Sequence, residues 1–243
     1  MENGVISVWG MGGAGKTTIA AAIGASLATK GKIVGIICAD MSYSSMQHIL
    51  SIKIPDAKGL KYVLKDLDDE AAKGFVVCPK IENLFVLELP ERENCFSIDA
   101  LSEEDAEKLI AFTKDRFDFL IIDCTSDIKN ALTFLANYSA DKIIEVIKAS
   151  ITNFKYRLSH QIYFEEMGLA AKTISVINMD KGLIDLGEVE KALSLKLPFA
   201  LPYTRTVQAA EGDGEILTKG NMKTRNDKKY LKAMDKLMEE ILR

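Results

Sequence analysis

Short apolar runs recur along the chain, separated by stretches in which apolar residues fall three and four apart. The runs Val5–Trp9, Ile33–Cys38, Leu84–Leu89, Phe119–Asp123, Ile143–Ile147 and Thr173–Asn178 are predicted strands. They are nearly continuous in apolar residues rather than alternating, which is the pattern of strands covered on both faces of a parallel sheet. Between them, the alanine-rich stretch from Thr17 to Thr29 is predicted as a helix. So are the segment carrying Leu60, Val63, Leu64 and Leu67, the stretch after Ser102 with Ala106, Leu109 and Ile110, Tyr156 to Met167, and Asp227 to Arg243. Ser102-Glu-Glu-Asp105 has the form of a capping box at a helix start. Pro202 to Asn226 is polar and glycine-bearing and reads as a loop. The alternation predicts an α/β fold: a doubly wound, mostly parallel sheet with helices on both faces, with residues 1–243 forming a single domain.

The richest chemistry lies at the first strand-to-helix turn. Gly10-Met-Gly-Gly-Ala-Gly-Lys-Thr-Thr18 matches G-x-x-x-x-G-K-[ST], placed between a predicted strand and a predicted helix. In such a loop successive backbone N–H groups face a polyphosphate, and the helix N-terminus adds its positive dipole end. Gly10, Gly12, Gly13, Ala14, Gly15, Lys16, Thr17 and Thr18 are therefore candidate nucleotide-binding residues. Lys16 is placed to reach the terminal phosphates and the Thr17 hydroxyl to ligate Mg²⁺. The alternative is a glycine-rich turn that binds nothing. Phe117-Asp-Phe-Leu-Ile-Ile-Asp123 adds an apolar strand ending in a carboxylate, which would present Asp123 to the metal as the partner motif of the loop; otherwise Asp123 caps the following turn.

Composition narrows the picture further. Of 243 residues 48% are hydrophobic and 27% charged, with a formal net charge of −4, which makes a generally basic nucleic-acid-binding surface less expected without excluding a local one. Cys38, Cys78, Cys95 and Cys124 form no C-x-x-C pair. No secretory leader and no run of about 20 apolar residues is present, so a cytoplasmic location is expected. His48 and His160 have no triad or metal-like neighbours in sequence.

Taken in order, Met11-Gly-Gly-Ala-Gly-Lys-Thr17, Cys38-Ala-Asp40, Ile121-Ile-Asp-Cys-Thr125, Val176-Ile-Asn178 and Leu201-Pro-Tyr203 resemble the MinD/ParA group of P-loop ATPases over nearly the whole chain. The resemblance implies ATP and Mg²⁺ as cofactors, and a homodimer formed on ATP binding. It also implies Asp40 orienting the water that attacks the γ-phosphate, Asn178 bonding the adenine edge, and the backbone around Pro202 and Tyr203 closing the base pocket. The alternative readings are a turn cap for Asp40 and a polar strand end for Asn178. By the same resemblance Lys16 and Asp40 are the catalytic pair, and Thr17 and Asp123 the metal residues. Asn178-Met-Asp180 departs from the N-K-x-D guanine motif, which favours adenine.

The chain also departs from the resembled pattern. The family's lysine two residues into the loop is Met11, the first carboxylate of D-x-D is Cys38, and Cys124-Thr-Ser126 replace the prolines after Asp123. Methionine cannot neutralise phosphate charge, so slow hydrolysis is expected. The pilus-assembly proteins CpaE and TadZ carry similarly atypical loops, and a mobile-element ParA-like protein is equally compatible. Further alternatives are a nucleotide-sensing scaffold without turnover, a membrane-cycling MinD-like ATPase, an iron–sulfur relative using Cys95 and Cys124, and a tyrosine kinase on the same scaffold. The membrane reading rests on the C-terminal stripe Tyr230, Leu231, Met234, Leu237, Met238, Ile241 and Leu242, which could lie on a bilayer but more often docks on its own domain. The protein partner and the cargo are left open.

Overall fold

The computed structural model describes residues 1–65, 67, 69–99 and 101–243. Its elements run β1 (Gly4–Trp9), α1 (Lys16–Ala28), β2 (Val34–Cys38), α2 (Met46–Ile49), α3 (Leu60–Val63), β3 (Val76–Val77), β4 (Leu84–Leu87), α4 (Glu103–Lys114) and β5 (Phe119–Asp123). They continue with α5 (Ala131–Ser139), β6 (Lys142–Lys148), α6 (Ile151–Ser159), α7 (Gln161–Glu166), β7 (Thr173–Asp180), α8 (Leu186–Leu193), β8 (Phe199–Pro202), α9 (Arg205–Gly212) and α10 (Arg225–Ile241). The strands form one eight-stranded sheet ordered β3-β4-β2-β5-β1-β6-β7-β8, parallel except where β3 runs against β4.

Period-two alternation within the buried strands divides the core into two layers. Ile6 and Val8 of β1, with Phe119 and Ile121 of β5, face the layer that contains α1 and α10. Val5 and Trp9, with Leu120 and Ile122, face the layer of α4, α5 and α7. A sheet sandwiched this way must keep both faces apolar, hence the unbroken runs in sequence. The order reverses direction at β1, so loops leaving β1 and its neighbours diverge at the carboxyl ends and open a crevice there.

Several local expectations are corrected. Tyr156 to Met167 is two helices, α6 and α7, divided at His160, whose Nδ1 lies 2.8 Å from the Tyr156 carbonyl oxygen and whose ring packs on Trp9 at 5.3 Å between centroids. The half-buried imidazole packs on Trp9 at this break, so His160 is a packing residue. Pro202 to Asn226 is not all loop: it holds the end of β8 and then α9, whose cap is the Thr204 hydroxyl accepting from Val207 N. The short strands β3 and β8 lie at the sheet edges, where only one neighbour supports them and the apolar signal is short. In the segment around Leu60, of which residues 66 and 68 lie outside the described residues, the helix α3 covers Leu60–Val63, with Leu60 and Val63 buried. The Ser102 cap is present, accepting from Asp105 N at 3.1 Å. The C-terminal helix is docked: Tyr230, Met234, Leu237, Met238 and Ile241 are buried in the same core layer as α1. Among the described residues no helix is long and apolar enough to cross a membrane.

Candidate functional site

The turn from β1 into α1 is shaped by glycine at its entrance. At Gly10, φ is +148° and an added Cβ would lie 2.1 Å from the Val146 carbonyl oxygen of β6, so no side chain fits while the sheet stays closed. The turn is held by Ala14 N donating to Met11 O at 3.2 Å. The N-terminus of α1 has no side-chain cap, which leaves the first-turn N–H groups directed at whatever occupies the loop. Lys16 Nζ folds back to donate to Met11 O at 3.3 Å.

Parallel pairing then brings the carboxylates to this turn. Asp123 ends β5 in register with Val8 of β1 on one side and Cys38 of β2 on the other, which fixes it at the carboxyl edge beside the loop. It is buried, and its Oδ1 has no hydrogen-bond partner. Burial pushes its pKa up to about 7 against the opposing pull of the Thr17 hydroxyl and the Lys16 ammonium. Burial likewise lowers the pKa of Lys16, while Asp123, Cys124 and Asp40 pull it back up. Asp40 follows β2 and is half-buried, its Oδ1 accepting from Ser42 N at 2.8 Å.

These groups border a cavity of about 860 Å³ whose wall includes Gly12, Gly13, Gly15, Lys16, Thr17, Thr18, Asp40 and Asp123. Among the described residues its other lining carboxylates are Asp99, Glu103, Asp127 and Glu211, against the cations Lys16 and Lys129. A polyanion entering so acidic a wall needs a divalent counter-ion. The buried, unpartnered Asp123 Oδ1 beside the Thr17 hydroxyl is an oxygen donor set that suits Mg²⁺. The residues present therefore fit a metal–nucleotide complex.

A second cavity, about 560 Å³, adjoins the first through the shared residues Thr18 and Glu211. Asn178, Pro202 and Tyr203 line it together with Met179, Lys181, Gln208 and Tyr230. Lys181 Nζ sits 4.8 Å from the Tyr203 ring centroid, and the Tyr203 hydroxyl donates to Gln208 Oε1 at 2.9 Å. The structure thus groups Lys16, Thr17, Thr18, Asp40 and Asp123 at one cavity and Asn178, Pro202 and Tyr203 at the next. Gly10 and Ala14 line neither cavity: Gly10 is packed under β6, and the Ala14 N–H is spent inside the turn. Tyr43, Asp127 and Lys129, from loops, and Glu211, from α9, border the site unforeseen, since no motif of their own marks them; Cys95, considered above only as a cluster ligand, lines the same cavity. Cys124 is buried, with its Sγ 3.3 Å from Ser7 Oγ, and burial pushes its thiol up to about 12.

A family model described as an AAA domain matches residues 4–162, well over half of the chain. The septum site-determining protein MinD of Synechocystis is 35% identical over 132 residues, which are 53% of this chain and 47% of that protein, so the match spans about half of its length. The chain belongs to the MinD/ParA-type P-loop ATPases. Among solved structures, the cell division ATPase MinD of Pyrococcus furiosus superposes with a TM-score of 0.80 over 100% of both chains at 20% identity. MinD of Pyrococcus horikoshii, solved with Mg-ADP, gives 0.78 over 96% of this chain and 95% of its own at 17% identity. At those identities the likeness is one of fold. It establishes the family's doubly wound architecture for this chain.

Proposed function

We propose that this chain binds Mg-ATP at the loop Gly10–Thr18, hydrolyses it slowly, and uses the bound state to dimerise as a positioning or partitioning factor. The observation that carries the reading is Asp123, a buried carboxylate with a free oxygen, set beside Lys16 and Thr17 at the uncapped start of α1. The Mg-ADP bound to the Pyrococcus horikoshii relative supports the same ligand class here.

On this reading the open N–H groups of the loop and first helical turn hold the phosphate chain, and Lys16 leaves the Met11 carbonyl to pair with the terminal phosphates. Thr17 and Asp123 hold Mg²⁺, which supplies neutralisation of the charge developing on the phosphates. Asp40 turns from its bond with Ser42 N to position the attacking water. The second cavity takes the base, with Tyr203 and Pro202 as its wall. Met11 brings a backbone carbonyl but no charge to the site, and loss of an equivalent cation lowers turnover in other NTPases by about 10³–10⁵-fold. The docked α10 keeps its apolar stripe inside the domain, which supports a role that does not depend on a bilayer.

Light scattering with and without Mg-ATP, alongside phosphate release in the same samples, tests the proposal. A dimer that forms with Mg-ATP and releases phosphate slowly is expected. A dimer without release would mark a nucleotide-sensing scaffold. A monomer throughout would sink the switching role, and turnover of about 1–100 s⁻¹, as kinases show, would sink the slow one.

A further inference from the structure

The carboxyl end of β7 touches both halves of the site. Asn178 Nδ2 donates to the Ala14 carbonyl oxygen at 2.8 Å, a contact between residues 164 positions apart in a buried setting. The fit leaves no slack: a Cβ on Gly15 would meet the same Nδ2 at 2.5 Å and the Met179 Cε at 3.3 Å. From Asn178 onward the strand leaves regular geometry. Met179 takes φ +56°, and the pairing of β7 with β8 shifts between Ile177 and Asp180. The Asp180 carbonyl oxygen then accepts from Tyr203 N at 2.7 Å. Three consecutive residues thus fasten the phosphate loop at one end and the wall of the second cavity at the other.

We infer that Asn178 is a positioning residue for the phosphate loop, building its polyphosphate-binding shape independently of any contact with a base. The carboxamide has the right chemistry for this. Ala14 is fully buried, so its carbonyl needs a donor, and Asn178 supplies one from the end of β7. Without that donor, Ala14 N still bonds Met11 O and Gly15 O still accepts from Ile19 N, but the Ala14–Gly15 peptide loses the partner of its carbonyl and can turn its N–H away from the phosphates. The inference rests on the nucleotide-binding reading above, but it predicts a different loss from that of a base contact.

The test is calorimetric titration of wild type, Asn178→Ala, Asn178→Asp and Tyr203→Ala with Mg-ATP and with Mg-tripolyphosphate, which carries the phosphates and no base. Both Asn178 variants should weaken the two ligands alike, by about tenfold, the cost of one unsatisfied buried acceptor. Tyr203→Ala should weaken ATP and leave tripolyphosphate within about twofold, a change below 1 kcal/mol. Tripolyphosphate affinity preserved in both Asn178 variants would overturn the inference and leave Asn178 as a base contact alone. A wild type that binds ATP but no tripolyphosphate would overturn it too, because the loop would then not be preformed. Thermal melts without ligand accompany each titration, and loss of cooperative melting in both Asn178 variants would show a general folding role in place of a loop-specific one. If wild type binds neither ligand, the proposed function itself fails, and that result is visible before any variant is made.

Discussion

Arg157 Nε lies 2.5 Å from Glu145 Oε1, and both side chains are buried. Glu145 sits in β6 beside the strand that leads into the phosphate loop, and its other oxygen accepts from Ser175 Oγ at 2.7 Å. The guanidinium also covers the Phe164 ring, 4.7 Å from its centroid. Burial raises the pKa of Glu145, and the Arg157 charge pulls it back down. Arg157→Met should therefore strand a buried carboxylate and cost about 3–5 kcal/mol. Thermal melts should show Tm falling by roughly 6–20 °C, at 2–4 °C per kcal/mol for a chain of this size. The double variant Glu145→Leu with Arg157→Met should recover most of that loss, because no unpaired charge remains. A double variant no better than the single one would mean the pair contributes through geometry and not through compensation of charge.

Lys16→Ala and Asp40→Ala should separate binding from turnover. Lys16 makes only one bond to the loop carbonyl of Met11, so its loss should leave the ligand-free Tm nearly unchanged while weakening Mg-ATP by at least about tenfold. Asp40→Ala should keep affinity within a few-fold and lower phosphate release by about 10²-fold or more. Titration calorimetry and a coupled phosphate assay on the same preparations measure both. Loss of ATP binding in Asp40→Ala would remove its assigned role.

The glycines of the loop should differ sharply in what they tolerate. A Cβ at Gly10 meets the Val146 carbonyl oxygen at 2.1 Å, whereas at Gly12 the nearest atom is Ser126 Oγ at 3.8 Å. Gly10→Ala should lower the ligand-free Tm by many degrees. Gly12→Ala should stay within about 0.5 kcal/mol of wild type, as expected for an open surface position.

Asp227 sets an acid limit on stability. It caps α10, where its carboxylate accepts from Lys223 N and Thr224 N at 2.7 Å and from the Thr206 hydroxyl at 2.9 Å. Burial opposes its ionisation, yet the Lys223 N–H and the hydroxyls of Thr204, Thr206 and Thr224 hold it far below the usual carboxylate range. A depressed folded pKa contributes stability that is fully present above the unfolded value of about 3.9 and is lost as pH falls below it. Asp227→Ala should lower Tm at pH 7 by about 2–8 °C, the cost of a lost cap. Its Tm should also fall less steeply than wild type between about pH 4 and pH 2. Parallel acid-side Tm profiles for the two proteins would contradict the assignment.

Much of the architecture was readable before any coordinates, because parallel strands buried on both faces must be written as unbroken apolar runs. Phe119–Asp123 falls on the strand at both ends, and the other five runs fall on strands within one or two residues at each end. The phosphate loop was equally legible, since its spacing encodes a backbone shape that glycine permits. Edge strands β3 and β8 and the helix α9 were not, because short elements take their stability from neighbours distant in sequence. The break at His160 was hidden for the same reason: there the imidazole packs on Trp9, a residue 151 positions earlier in β1.

By itself the sequence determined the fold class, the phosphate loop and the carboxylate that ends the fifth strand, because each follows from local periodicity or from fixed spacing along the chain. Tertiary structure alone decided that Asn178 reaches Ala14, that Asp123 is buried with an oxygen to spare, that Lys129 and Glu211 border the cavity, and that α10 is docked. Those are relations between segments, set by strand order and by the desolvation of groups that meet only after the sheet has formed. No spacing rule along the chain encodes them.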